Sequence, residues 1–464
     1  MYRGRGLEFR NDQYKGNSRG KHRSGTNAGR PPPGGSKFQW KVLLFFLAFW
    51  VCLVNYYEKL VVDRVIKRCS WDTWEQWEVG QRPHRVMLLA DPQIMDAHSY
   101  PGRPKLVNYF TKKILDHYHA RNWNHLQASL DPDSTFFLGD LFDGGRRWSD
   151  DDWMNEYQRF NNIFRKRSNK LTVMSLPGNH DIGFGDTVVE RSLNRFSQYF
   201  GECNSMWDIG NHTIVLLDTI SLSDTANSNI SDVPRQFLDR IATMEPSNPR
   251  IMLTHVPLHR DPLLQQCGDL RESQKPFPLQ RGIQYQTVID KDLTEEVLSK
   301  IQPTLVFSGD DHDFCHISHG YEIGGIKMEA DEITVKSCAM NMGISRPAIQ
   351  LLSLNNPVHK TIGKTYETEI CFLPDPYKPI KVYIFAFILT SGIMAWIQLF
   401  PFSFCRTFDL FLGQISVGGY PLLPVVTRPK QNSSANELKS QKIQGLLISQ
   451  AVMVLLITLI FMLS

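Results

Sequence analysis

Six short runs in the middle of the chain are apolar without alternation: Val86–Ala90, Thr135–Leu138, Leu171–Leu176, Thr213–Leu217, Ile251–Thr254 and Leu305–Ser308. A strand covered on one face alternates apolar and polar residues, whereas a parallel strand covered on both faces reads as an unbroken run. Between the runs lie helical stretches such as Lys105–Arg121 and Trp153–Arg167. Strands alternating with helices predict an α/β domain with parallel strands. Three longer segments have a different pattern. Val42–Tyr57, Val382–Phe404 and Ile443–Leu463 contain no charged residue, and the latter two have the length a bilayer requires. The first is short but extends through Phe38–Trp40 if Lys41 snorkels.

The pattern divides the chain into a tail (1–41), a membrane anchor (42–60), a large domain (84–372), a second span (380–404), a loop (405–442) and a third span (443–463). The tail has ten Lys and Arg against Glu8 and Asp12 and is rich in Gly, Ser, Asn and Pro, a composition expected to be disordered. The adjacent span accounts for its charge, so no nucleic-acid partner is expected. A long basic leader with no small-residue cleavage pattern reads as an uncleaved signal anchor. The loop between the later spans is also basic, so the positive-inside rule puts both it and the tail in the cytosol. The large domain then faces the lumen or exterior, where Cys69, Cys203, Cys267, Cys315, Cys338 and Cys371 could pair. The pairing is not readable. Trp71, Trp74 and Trp77 form either an interfacial belt or packing against the domain. Asn211 and Asn229 head glycosylation sequons.

Five of the six runs end on metal-ligand residue types. They lead into Asp91-Pro92-Gln93, Gly139-Asp140-Leu141-Phe142-Asp143, Gly178-Asn179-His180-Asp181, His255, and Gly309-Asp310-Asp311-His312. Ligands in open α/β sheets bind just beyond the carboxyl ends of the strands, so these clusters predict one polynuclear metal centre. A two-metal site needs a carboxylate shared by ions about 3.5–4 Å apart, with O and N ligands around them. Asp140, on a tight Gly turn, suits the shared role. Asn179 offers a neutral oxygen, and His180, oriented by Asp181, suits protonation of a leaving oxygen.

In this order the clusters resemble those of the calcineurin-like metallophosphoesterase superfamily, over about His84 to Leu354. The resemblance implies a β-sandwich flanked by helices that catalyses in-line hydrolysis of phosphate esters. It implies one divalent metal on Asp91, Asp140 and His312, and another on Asp140, Asn179, His255 and Asp310. Gln93 stands where the superfamily has a histidine, and so does Asp310. Gln93 is kept as a ligand of the first metal. Both changes replace nitrogen by oxygen and favour Mn²⁺, with Zn²⁺ or Fe as alternatives. Asp96 and His98 are candidates to compensate for Gln93, and Asp143 and Arg146 to orient ligands or phosphate. His259, His316 and His319 are expected to be structural.

Three runs, Phe307–Cys315, Thr254–Arg260 and Glu332–Gly343, look like the fungal branch of one subfamily. Its members are endoplasmic-reticulum membrane phosphodiesterases that remove ethanolamine phosphate from mannose in glycosylphosphatidylinositol (GPI) glycans. The resemblance implies that location, GPI-anchored proteins or the GPI glycolipid as substrate, and possible export cargo receptors as partners. Two alternatives stay open: a membrane metallophosphoesterase acting on another phosphate ester, and a metal-binding adaptor in cargo export. The long polar connection Gln265–Thr287 makes Arg271, Arg281 and Tyr285, with Arg146, candidate substrate contacts.

Overall fold

The computed structural model describes residues 40–357, 364–400, 403–404 and 435–463. The expected disordered tail therefore lies outside the described residues, except for its last two positions. So does most of the expected cytosolic loop. The chain divides into two compact units, and the sheets, the site and every contact below belong to the one made of Leu43–Ser391 and Met453–Ser464.

Two sheets carry the domain. The first has the order β13-β12-β1-β2-β3, with β1 (His84–Leu89), β2 (Ser134–Phe137), β3 (Leu171–Val173), β12 (Ala348–Leu354) and β13 (Tyr366–Phe372). The second has the order β10-β11-β9-β6-β5-β4. Its strands are β4 (Ser205–Ile209), β5 (His212–Leu216), β6 (Arg250–Leu253), β9 (Pro303–Ser308), β10 (Cys315–Ile323) and β11 (Ile326–Thr334). A two-stranded ribbon, β7 (Arg281–Gly282) and β8 (Tyr285–Gln286), stands apart from both. In the first sheet β1, β2 and β3 are parallel. In the second β5, β6, β9 and β11 are parallel. Antiparallel strands complete the edges.

The period of two explains the unbroken apolar runs. Val86 and Leu88 of β1, Phe136 of β2, Leu216 of β5, Ile251 of β6 and Leu305 and Phe307 of β9 meet in one cluster between the sheets. Their neighbours Met87, Leu89, Phe137, Val215, Met252 and Val306 join a second cluster with residues of the covering helices. Among these are Trp123 and Leu126 of the helix Lys105–Ser129, Phe160 of Asp150–Ile163, Leu238 of Ser228–Ala242, and Leu298 of Lys291–Ile301. The fold is the expected helix-flanked sandwich.

The helix Asp150–Ile163 starts where its sequence directs. Ser149 Oγ accepts from Asp152 N at 3.2 Å, and three aspartates occupy the first turn, which favours that end of the helix dipole. Trp71 and Trp77 settle the choice left open by the sequence. Trp71 Nε1 donates to Leu130 O at 2.6 Å and Trp77 Nε1 to Ser353 Oγ at 2.8 Å, so both pack on the domain. Disulfides join Cys69 to Cys371 and Cys267 to Cys315, while Cys203 and Cys338 are buried and unpaired.

Three helices, Lys41–Lys67, Tyr377–Leu399 and Lys439–Phe461, are long and apolar enough to cross a membrane. The first continues past its apolar run through a π-turn at Tyr56–Val61. The second begins at Tyr377, three residues earlier than expected.

Candidate metal centre

The five ligand-bearing loops follow β1, β2, β3, β6 and β9, all parallel strands, so their carboxyl ends share one rim. The backbone at this rim is strained. Asp91, Gln93, Asp140, Asp310 and His312 all adopt positive φ, between +36° and +67°. For a residue other than glycine this costs on the order of 1–2 kcal/mol each, and only a surrounding structure that over-determines the loop sustains it. That structure is visible. Gln93 N donates to Asp140 O at 2.9 Å, Gly309 N to His255 O at 2.8 Å, and Ser337 N to His312 O at 3.0 Å. Two glycines are required by close approach. A Cβ on Gly178 would lie 2.0 Å from Asp140 Oδ1, and one on Gly139 would lie 2.5 Å from His255 Nδ1.

Asp91, Asp140 and His255 offer ligand atoms within 4.8 Å of one another, all buried. His255 Nε2 lies 3.5 Å from both Asp140 Oδ1 and Asp310 Oδ1. Its Nδ1 donates to Leu138 O at 2.7 Å, which fixes the ring and leaves Nε2 as the ligand atom. Four buried polar atoms of this rim have no partner: Asp91 Oδ2, Asn179 Oδ1, His255 Nε2 and Asp310 Oδ2. Buried polar atoms are rarely left unpaired, because each costs on the order of 1–3 kcal/mol. Here the four belong to residues of the expected ligand set. Burial raises the Asp91 carboxyl well above its usual range, and Asp140 and Asp310 add repulsion that His255 opposes. Burial also disfavours a charged His255, yet Asp140, Asp310 and Asp91 hold its pKa at about 10. Crowded oxygens without donors, beside an imidazole nitrogen that makes no hydrogen bond, fit divalent cations.

Gln93 Nε2 donates to Asp140 Oδ2 at 3.0 Å, so its amide braces the carboxylate expected to be shared. Asp96 is not a spare ligand. Its Oδ2 accepts from Trp148 Nε1 at 2.9 Å, and its Oδ1 accepts from His98 N and Ser99 Oγ. His312 is partly exposed, and burial lowers its pKa.

Asp181 does not orient His180. Its oxygens accept from Leu141 N, Phe142 N and Gly178 N at 2.9–3.1 Å, so it clamps the Gly-Asp loop to the Gly-Asn-His loop. Its burial, with Asp140 nearby, raises its pKa to about 7. Orientation of His180 falls to Asp143, whose carbonyl lies 2.6 Å and carboxylate 3.4 Å from His180 Nδ1. Against the effect of burial, Asp140 and then Asp143 raise the His180 pKa to about 9.

The candidate substrate contacts separate. Arg146 stands at the site, with Nη1 on Asn179 O at 3.2 Å and Nε on Gln284 Oε1 at 3.1 Å. Tyr285 is near enough for Asp310, Asp311 and Asp140 to add to burial in raising its phenol pKa. Arg271 is instead locked in a buried pair with Asp311 and also donates to Phe314 O. Arg281 is 72% exposed, and its nearest carboxylate is Asp290, at 3.9 Å.

Gln284 escaped the sequence analysis. It sits at the tip of the β7–β8 ribbon with φ +59°, accepts from Arg146, and takes the Asn179 amide on its own carbonyl at 3.3 Å. That contact turns Asn179 Oδ1 away from the ribbon. The only signal was the length of the connection that contains it. Glu332 also escaped notice. Fully buried, it pairs with Arg260 Nη2 at 2.8 Å and His319 Nε2 at 2.6 Å, and accepts from Ser308 Oγ at 2.7 Å and Leu258 N at 3.1 Å. It thereby ties the loop after His255 to the strand before Asp310. Next to Asp331 and two residues before Thr334, in a strand that also holds Lys327 and Glu329, it carried no signal of its own in the sequence.

Comparison with known proteins agrees with this geometry. The model of the calcineurin-like phosphoesterase family matches residues 84–314. Cell division control protein 1 of Saccharomyces cerevisiae is 56% identical over 417 residues, 88% of this chain and 85% of that protein. Metallophosphoesterase 1 of Danio rerio is 26% identical over 379 residues, 75% and 90% of the two chains. Its homolog in Caenorhabditis elegans is 24% identical over 352 residues, 74% and 90%.

Proposed function

The chain belongs to the calcineurin-like phosphoesterase family, and from that premise we propose that it is a membrane-bound, divalent-metal-dependent phosphodiesterase that removes ethanolamine phosphate from mannose of GPI glycans in the endoplasmic reticulum lumen. The observation that carries the catalytic part is the set of four buried, unpartnered ligand atoms beside His180. Support for the substrate comes from the resemblance of Phe307–Cys315, Thr254–Arg260 and Glu332–Gly343 to GPI-remodelling enzymes. Three candidate spans fit a substrate that is itself a lipid-anchored glycan.

In this reading Asp91, Asp140, Asn179, His255, Asp310 and His312 hold two ions, with Mn²⁺ favoured by the oxygen-rich set. The ions would supply an activated water and offset the charge of the phosphoryl oxygens. Arg146 faces a non-bridging oxygen, held in aim by Gln284. His180, its Nδ1 committed to Asp143, presents Nε2 to the departing oxygen as proton donor. Asp181 fixes the loops that carry Asp140 and Asn179. The basic tail is assigned to the cytosol and the sandwich to the lumen.

Mass spectrometry of GPI glycans from cells lacking the protein tests the substrate. Extra ethanolamine phosphate on mannose is expected, and an unchanged glycan profile would refute the assignment. Hydrolysis of bis-p-nitrophenyl phosphate with added Mn²⁺ tests the chemistry separately; no turnover would leave the adaptor reading.

A further inference from the structure

One face of the helix Lys105–Ser129 meets the ends of the first and third candidate spans, and the second joins them through Glu58. His117 Nε2 lies 3.2 Å from Glu58 Oε2, and Arg121 pairs with the same buried carboxylate. Tyr383 Oη donates to Glu58 Oε1 at 2.6 Å. The His117 ring is 4.4 Å from that of Phe461. Glu58 belongs to the first span, Tyr383 to the second and Phe461 to the third. Glu58 is also the first charged residue after the apolar run of its helix, so these contacts sit where hydrocarbon gives way to headgroups.

At 100° per residue, Leu106, Phe110, Lys113 and His117 fall on one face of the helix, with Tyr109 beside them. The face that touches the spans at His117 therefore continues toward the helix N-terminus as uncovered apolar surface. Leu106 is 67% exposed, Tyr109 52%, Phe110 49% and neighbouring Val107 48%. Four large apolar residues within five positions make a patch of the kind that marks an interaction surface. Lys105 and Lys113 flank it, and the Lys113 ammonium lies 5.9 Å from the centre of the Tyr109 ring. Aromatic and aliphatic side chains bordered by lysines are the residue set of a helix lying in a bilayer interface.

We propose that the first two turns of this helix lie in the headgroup–acyl boundary of the bilayer crossed by the spans, as a fourth, non-spanning membrane contact. The partner is lipid, because the patch is continuous with a face already seated on the spans. This placement bears on the site. Met95, Leu115, Tyr118 and Met340 form one cluster, with Tyr100, Ile114 and Ile380 packed on it. The cluster joins the loop after Gln93 to this helix and to the base of the second span. Immersion of the helix thus holds the first ligand loop at the membrane surface, within reach of a phosphate ester on a lipid-anchored molecule. The inference rests on the reading of the three helices as spans.

The test uses the full chain with Cys52 and Cys405 replaced by serine, reconstituted in phosphatidylcholine vesicles. A fluorophore is attached at Phe110→Cys, at Ile388→Cys in the second span, or at Val233→Cys in the helix Ser228–Ala242; Ile388 and Val233 are 64% and 62% exposed. Lipid carrying an acyl-chain nitroxide is then added. Quenching at positions 388 and 110, several-fold above that at 233, is the expected result. Quenching at 388 with position 110 as weak as 233 overturns this inference alone. Weak quenching at 388 overturns the spans and this inference with them. Blue-shifted emission at 110 without quenching assigns the patch to a second protein surface and also overturns it.

Discussion

Two groups of buried carboxylates lie within a few residues of each other and are resolved in opposite ways. At the rim, Asp91 and Asp310 each keep an oxygen with no donor. Behind it, both oxygens of Glu332 are taken by Arg260, His319, Ser308 and Leu258 N. Burial pushes Glu332 upward, but Arg260 and His319 outweigh it and hold the carboxyl below its usual range, whereas burial carries Asp91 well above. The chain supplies the counter-charge in one place and leaves it to be supplied from outside in the other. Burial and charge alone do not mark a ligand site. An unpartnered oxygen beside an unpartnered imidazole nitrogen does.

The comparison breaks most sharply by neutralising the shared carboxylate. Asp140→Asn keeps the shape and should lower Mn²⁺-dependent hydrolysis of bis-p-nitrophenyl phosphate by at least about 10³-fold, with bound metal falling in elemental analysis. The thermal midpoint should hold or rise, because a repulsive charge has gone. A collapsed midpoint would make Asp140 a scaffold residue like Glu332. The opposite outcome is expected for Glu332→Ala, which strands the buried Arg260 and should cost about 3–5 kcal/mol in denaturant unfolding. Glu332→Leu combined with Arg260→Met should recover most of that loss. A double variant as unstable as the single one would show that the pair does more than neutralise itself.

The rim was legible in the sequence because two demands coincide there. Parallel strands buried on both faces must be apolar runs, and metal ligands must follow them directly. β10 alternates in burial, β13 mixes Glu and Thr among its apolar residues, and both pair antiparallel at the sheet edges, so neither reads as an unbroken apolar run. The partners of Glu332 come from three separate segments, and no spacing rule connects them. Asp181 and Asp143 both stand close to His180 in sequence or in motif. Only the turn of the chain shows that Asp143 reaches its Nδ1 and that Asp181 points back to the amides of Leu141 and Phe142.

A third buried group reads the scaffold by pH. His119 is fully enclosed, and burial lowers its pKa to about 4, with the Pro92 backbone opposing. The folded value lies below the unfolded one, near 6.5. The unfolded chain therefore takes up the proton first, and stability falls as pH drops from about 6.5 toward 4, by up to about 3 kcal/mol. Above pH 6.5 this group contributes no slope. His119→Phe should flatten that part of the profile. Comparing the two proteins in chelator removes the pH dependence of metal loading. Parallel profiles would place the His119 pKa near its ordinary value.

The smallest effect probes the border between the two regimes, where the β7–β8 ribbon touches the rim. Gln284 contacts Arg146 through its side chain and Asn179 through its backbone carbonyl. Gln284→Ala removes the first contact and an exposed donation from Gln284 Nε2 to Thr187 O at 3.1 Å, away from the ligands. The bond that bears on turnover is the neutral acceptor for a guanidinium donor, which contributes about 1–2 kcal/mol. Turnover of bis-p-nitrophenyl phosphate should therefore fall about 5- to 20-fold, with the midpoint and the metal content unchanged because Asn179 stays held. Arg281→Ala, on the same ribbon but exposed to solvent, should leave turnover as it is. If Gln284→Ala lowered metal content instead, the ribbon would belong to the ligand cage through Asn179. If Arg281→Ala slowed the reaction as much as Gln284→Ala, the ribbon would be acting through its charge, and the aim of Arg146 would not be what it controls.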